Sequence, residues 1–105
     1  MSCSSGGGLP AVEGPTATKL ELSATEMRYM PSKIAVVAGD VPVALHNVGT
    51  VIHDLRVEKK PQLIVEALAG KTSTATWRLD KGRYRIYCSL PGHRAAGMEG
   101  VLEVR

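Results

Sequence analysis

Residues 87–100 read YCSLPGHRAAGMEG, and the fold and the chemistry of the chain both turn on this stretch. Cys88, His93 and Met98 follow one another at intervals of five in a segment broken by Pro91, Gly92 and Gly97. The strand pattern GRYRIYC leads into it, with Tyr84, Ile86 and Cys88 on one face and Arg83, Arg85 and Tyr87 on the other. The pattern GVLEVR leaves it. A loop pinned at both ends by strands, stiffened by proline and turned by glycine, aims its side chains in a fixed direction. A lone cysteine on an apolar strand face is ordinarily a small core residue, a lone methionine packing, and a lone loop histidine nothing in particular. Spaced together on one pinned loop, the three read as ligands for a soft or borderline metal.

Working outward, the rest of the chain is a series of short alternating segments. TKLELSA, SKIAVVAGD, VPVALHNVG, HDLRVE and KTSTATWRL are separated by Gly, Pro, Asn and Asp. Together with the two strands around the loop they predict an all-β fold, an antiparallel Greek-key β-sandwich of six to eight strands. LIVEALAG, within Pro61 to Ala69, is ambiguous by periodicity and fits a short helix or an irregular crossover equally. Met27 and Met30 read as packing residues near the first turn, Trp77 and Tyr84 as core aromatics. His53 opens the strand HDLRVE. In an antiparallel sandwich the start of that strand can lie at the same end as the finish of GRYRIYC. Two imidazoles, a thiolate and a weak thioether form the donor set of an electron-transfer copper site. His46 lies on a strand face away from this set and reads as a surface or half-buried histidine.

The 105 residues carry a net charge of +3 and four aromatic side chains, with no basic run, so a nucleic-acid platform is not expected. No apolar run approaches the roughly 20 residues of a membrane-spanning helix. Residues 1–17, rich in Gly, Ser and Pro, predict a flexible tether, and residues 18–105 the folded domain. A disulfide between the two cysteines, Cys3 and Cys88, is disfavoured, since one lies in the tail and the other at a strand end. The start CSSGGG resembles the mature N-terminus of a bacterial lipoprotein, with the lipid on Cys3. A sequence remnant on a disordered end fits equally well.

Over about residues 18–105 the chain resembles a cupredoxin, a type 1 blue copper protein. YCSLPGHRAAGM is similar to the Cys-x-x-Pro-Gly-His loops of auracyanin, azurin and rusticyanin, whereas plastocyanin and amicyanin have shorter spacings. VALHNVGTVIHDL and LDKGRYRIYC are similar to the family's strands before the first histidine and into the cysteine. The resemblance implies one copper ion cycling between Cu(II) and Cu(I). His53, Cys88 and His93 would form the trigonal plane, with Met98 as the long axial ligand.

It also implies hydrogen bonds to the Cys88 sulfur from the backbone amides of Asp54 and Leu90. Where the family often has Asn, this chain has Asp54, which is expected to accept the Ser89 hydroxyl and to favour Cu(II). Leu90, Pro91, Ala95 and Ala96 around His93, joined by Val51 and Ile52, would form the electron port. Arg94 would steer an acidic partner. Tyr87 would offer a second electron route, or be an ordinary strand tyrosine.

The function implied is a monomeric single-electron carrier, not an enzyme, working between redox proteins of the cytochrome or membrane-oxidoreductase type. It would work in the periplasm or on the outer membrane face, lipid-anchored if Cys3 is modified. The alternative is a copper chaperone or store on the same fold. A binuclear copper centre needs a second cysteine in the loop, and only Cys88 is there.

Overall fold

The computed structural model describes residues 8–105, and among these nine strands form two facing sheets. In chain order they are β1 (Leu20–Thr25), β2 (Arg28–Met30), β3 (Lys33–Val36), β4 (Gly39–Asn47), β5 (His53–Val57), β6 (Lys60–Ala67), β7 (Thr72–Leu79), β8 (Gly82–Tyr87) and β9 (Glu99–Val104). One sheet has the order β2-β1-β4-β7 and the other β3-β9-β8-β5-β6. Cys3 lies outside the described residues.

In β1, β4, β6 and β7 buried residues recur at every second position, so that one side of the pleated ribbon faces the core. Leu20, Leu22 and Ala24 of β1, Val41, Val43 and Leu45 of β4, and Trp77 and Leu79 of β7 meet the opposite sheet across the core. That sheet contributes Leu55 and Val57 of β5, Leu63, Val65 and Ala67 of β6, Ile86 of β8, and Leu102 and Val104 of β9. Tyr84 packs partly buried against this core, but Met30 is 56% exposed and does not pack as expected.

Two pairings are parallel, β1 with β4 and β3 with β9, so the sheets are mixed rather than antiparallel throughout. The chain crosses to the other sheet for β3 and returns for β4, which therefore arrives beside β1 running the same way; a tight hairpin cannot join such a pair. The ambiguous LIVEALAG segment belongs largely to β6, at the edge of the five-stranded sheet. Leu63, Val65 and Ala67 point inward, but Ile64 on the outer face is also apolar and hides the alternation. β2 and β6 account for the extra strands.

The segment expected to be tether as far as residue 17 is partly docked. Val12 is buried with Ala35 and Val101, with Leu9 packed against them. The Val12 amide donates to Glu103 at 3.0 Å, and Arg105 donates to the carbonyls of Val12 and Gly14 at 2.6 and 2.9 Å. Ala17 bridges in parallel to Val36. Composition suggested a free chain, but the packing of Leu9 and Val12, the Arg105 bonds and an Arg83 hydrogen bond to the Leu9 carbonyl at 3.1 Å suffice to seat it.

Candidate metal centre

Antiparallel pairing of β5 with β8, which sets Arg56 opposite Tyr87, brings the start of one strand beside the end of the other. His53, the first residue of β5, and Cys88, immediately after β8, therefore share one pole of the sandwich. β9 pairs with β8 through Tyr87 and Glu99, which sets Met98 across from Cys88, and the Cys88 amide donates to the Met98 carbonyl at 3.1 Å.

Between them the chain makes a tight coil. The His93 amide donates to the Leu90 carbonyl at 3.0 Å, and the Met98 amide to the His93 carbonyl at 3.1 Å. Gly92 and Gly97 hold φ of +80° and +108°, the left-handed region that side chains with a Cβ enter at a cost.

Ligand atoms of His53, Cys88 and His93 all lie within 4.8 Å of one another. Cys88 Sγ is 3.4 Å from His93 Nδ1, and the two imidazole rings are 5.0 Å apart, tilted by 57°. His53, Cys88 and Met98 are fully buried and His93 half-buried. His53 Nδ1 is buried and has no hydrogen-bond partner among the described residues. An unpartnered buried nitrogen costs about 1–3 kcal/mol. A cation at the point where the sulfur and the other imidazole converge removes that cost, so the donor set fits a metal ion of the copper type.

The thiol is tuned from two sides. Burial pushes the Cys88 thiol up, while the amides of Asp54 and Leu90 pull it back; the Asp54 amide lies 3.5 Å from Sγ. Asp54 is itself buried. Burial alone would raise its carboxyl, but hydrogen bonds from Ser89 and Arg56 outweigh it and hold the group below the usual carboxylate range. The Ser89 amide donates to Oδ1 at 2.7 Å, its hydroxyl to Oδ2 at 2.5 Å, and Arg56 Nε to Oδ2 at 3.0 Å.

Across residues 16–105 the sequence matches the copper binding proteins of the plastocyanin/azurin family. The chain belongs to that family. Among solved structures this cupredoxin is similar to Na-dithionite reduced auracyanin from the photosynthetic bacterium Roseiflexus castenholzii, at 20% identity and a TM-score of 0.76, over 87% of this chain and 99% of that one. It is similar also to auracyanin B, at 19% identity and a TM-score of 0.72, over 90% and 93%. The purple cupredoxin from Nitrosopumilus maritimus aligns at 16% identity and a TM-score of 0.60, over 83% and 100%. At these identities the likeness is one of fold. No curated protein matches by sequence.

Around the cupredoxin's centre, Pro91, Ala95, Ala96 and Val51 are exposed, and Leu90 and Ile52 half-buried. Arg94 does not stand free. It donates to Glu58 at 2.7 Å and to Glu99 at 3.4 Å, and its guanidinium sits 4.3 Å over the Tyr87 ring. His46 is half-exposed and tied to Glu21 at 2.7 Å and Thr72 at 2.9 Å, away from the metal ligands.

Three supporting residues were not foreseen. Tyr29, buried on β2, donates through its hydroxyl to the Asp54 carbonyl at 2.5 Å. Asn47 donates to the carbonyls of Val51 and Ala67 at 2.8 and 2.9 Å and accepts from the Gly49 amide, shaping the loop into His53. The mark of that bend in the sequence is Gly49, two residues after Asn47, which does not name the partners. Glu26, in the β1–β2 turn, reaches His53 Nε2 at 3.2 Å. The Thr50 amide foremost holds its carboxyl below the usual range. Nothing local in the sequence marks it.

Proposed function

We propose that this cupredoxin is a type 1 copper electron carrier. His53 Nδ1, Cys88 Sγ and His93 Nδ1 serve as the equatorial ligands and Met98 as the weak axial one. The observation that carries this reading is the convergence of one thiol and two imidazole nitrogens, within 4.8 Å, on a pole where one nitrogen is buried and unpaired. When bound there, copper supplies a one-electron Cu(II)/Cu(I) couple.

The chain's part is to hold the donors still. Four ligands, one at the start of β5, two directly beside the ends of β8 and β9, and one on the coiled loop between them, leave little room to rearrange between oxidation states. The Asp54 and Leu90 amides favour negative charge on the Cys88 sulfur, and the Asp54–Ser89 pair ties the loop to the start of β5.

Electrons leave past the half-buried edge of His93, across Leu90, Pro91, Ala95 and Ala96. With the Arg94 charge compensated by Glu58 and Glu99, this face is small and apolar rather than basic, which suits brief docking of a redox protein of the cytochrome or membrane-oxidoreductase class. Tyr87, capped by Arg94, is a strand tyrosine with a structural job. The protein acts as a monomer outside the cytoplasm and catalyses no bond chemistry. The electron-carrying domain includes the docked stretch from Leu9 onward, and the residues ahead of it serve as the tether, anchored through a lipid on Cys3.

The deciding measurement is the visible spectrum of the oxidised, copper-loaded protein. An intense blue band from thiolate-to-copper charge transfer is expected, lost in Cys88→Ser. Colourless, readily released Cu(I) would instead mark a chaperone or store. Mass spectrometry of the protein from its native host tests the anchor.

A further inference from the structure

Glu26 sits in the turn between β1 and β2, in the four-stranded sheet, whereas His53 begins β5 in the other sheet. Its carboxylate nevertheless closes over the back of the His53 imidazole. Oε1 lies 3.2 Å from Nε2 of His53 and accepts the amides of Thr50 at 2.9 Å and Val51 at 3.3 Å, while Oε2 accepts the Thr50 hydroxyl at 3.4 Å. Gly49 makes this possible, since a methyl group there would overlap the Glu26 carboxylate. One side chain from the opposite sheet thus gathers the whole approach to the first histidine.

We propose that Glu26 is a positioning residue for the copper site, fixing the tautomer and orientation of His53 and lowering the reduction potential by placing negative charge behind that ligand. The inference rests on the copper-carrier reading above. A carboxylate is a pure acceptor, so the neutral imidazole must carry its proton on Nε2, which leaves the Nδ1 lone pair for the metal. That agrees with Nδ1 being the unpaired buried atom. A carboxylate behind a metal-bound imidazole makes it a stronger donor. The stronger donor favours the more highly charged ion, Cu(II). Because the Glu26 side chain is 37% exposed, solvent screens the charge and the effect is moderate.

Three variants separate charge from scaffold. Glu26→Gln keeps an acceptor for Nε2–H and removes the charge, Glu26→Ala removes both, and Gly49→Ala pushes the carboxylate away while leaving it in the chain. In the metal-free protein, nitrogen NMR of the imidazoles reads the tautomer directly. A single Nε2–H form of His53 is expected in the wild type and in Glu26→Gln, and a mixture in Glu26→Ala and Gly49→Ala.

In the loaded protein, Glu26→Gln is expected to reduce the preference for Cu(II) over Cu(I) by about tenfold, within the range for such supporting groups. By voltammetry that is a rise of about 59 mV for one electron. A wild-type Nδ1–H tautomer, or Glu26→Gln at the wild-type potential, would overturn the proposal. If the tautomer is as stated but no blue band forms, the copper-carrier reading fails while the positioning of His53 stands.

Discussion

Asp54 and Ser89 are joined twice, amide to Oδ1 at 2.7 Å and hydroxyl to Oδ2 at 2.5 Å, so the residue after one ligand grips the residue after another. The bond pair spans 35 residues of chain and locks the β5 start to the loop. Because the bonds and Arg56 together favour the ionised carboxyl, Asp54 holds a negative charge beside the centre.

Asp54→Asn removes that charge, leaves Arg56 without its anion and offers the Ser89 hydroxyl a donor. The reduction potential is expected to rise modestly at neutral pH, and stability to fall by about 1.5–3 kcal/mol, as for hydrogen bonds to charged groups. Voltammetry and urea denaturation check both; a potential at or below wild type counts against the electrostatic part.

Copper uptake should be visible as stability and as acid. Burial pushes the Cys88 thiol up, so in the metal-free protein near neutral pH it is protonated, and a bound cation displaces that proton. Titration with copper in weak buffer is expected to release the proton, and Cys88→Ser to release none. Free copper at about 100 times its Kd adds roughly 2.7 kcal/mol, read as a higher Tm that a chelator reverses.

Gly100 of β9 faces the Ser32 carbonyl so closely that an added methyl would overlap it. Backbone cannot swing aside as a side chain does. Gly100→Ala is expected to cost roughly 1–3 kcal/mol, as overpacking does, and to lower the urea midpoint. A midpoint within error of wild type would show that the β9–Ser32 contact is slack.

Glu103 accepts from Arg105, the Val12 amide and Arg83, and these bonds hold its carboxyl well down, at about 2 against an ordinary 4.5. Its folded pKa is depressed, so the ionised form favours the native state. That contribution is complete above about pH 4.5 and is lost as the pH falls toward about 2. The metal-free wild type should lose Tm across this window faster than Glu103→Gln does. Parallel curves for the two would refute the linkage.

Several parts of the centre were legible because they are local. Cys88, His93 and Met98 lie within eleven residues, and the period-2 strands on either side fix where the loop begins and ends. His53 was legible one step further, since antiparallel pairing places the start of one strand beside the end of the next. β6 was not, because Ile64 on the outer face blurs the alternation that names a strand. The docking of Leu9 to Ala17 was not legible either. Its partners, Glu103 and Arg105, lie roughly ninety residues away, and composition carries no trace of them.

By itself, then, the chain's order of residues determined the sandwich and the sulfur and imidazole donors, since strand periodicity and loop spacing act over a few neighbouring positions. Only tertiary structure decided that Arg94 is neutralised by Glu58 and Glu99, that Tyr29 braces Asp54, and that Glu26 stands behind His53. Glu58, Tyr29 and Glu26 lie 36, 25 and 27 residues from the groups they bind, and those contacts depend on how the strands and turns are stacked, which no local pattern encodes.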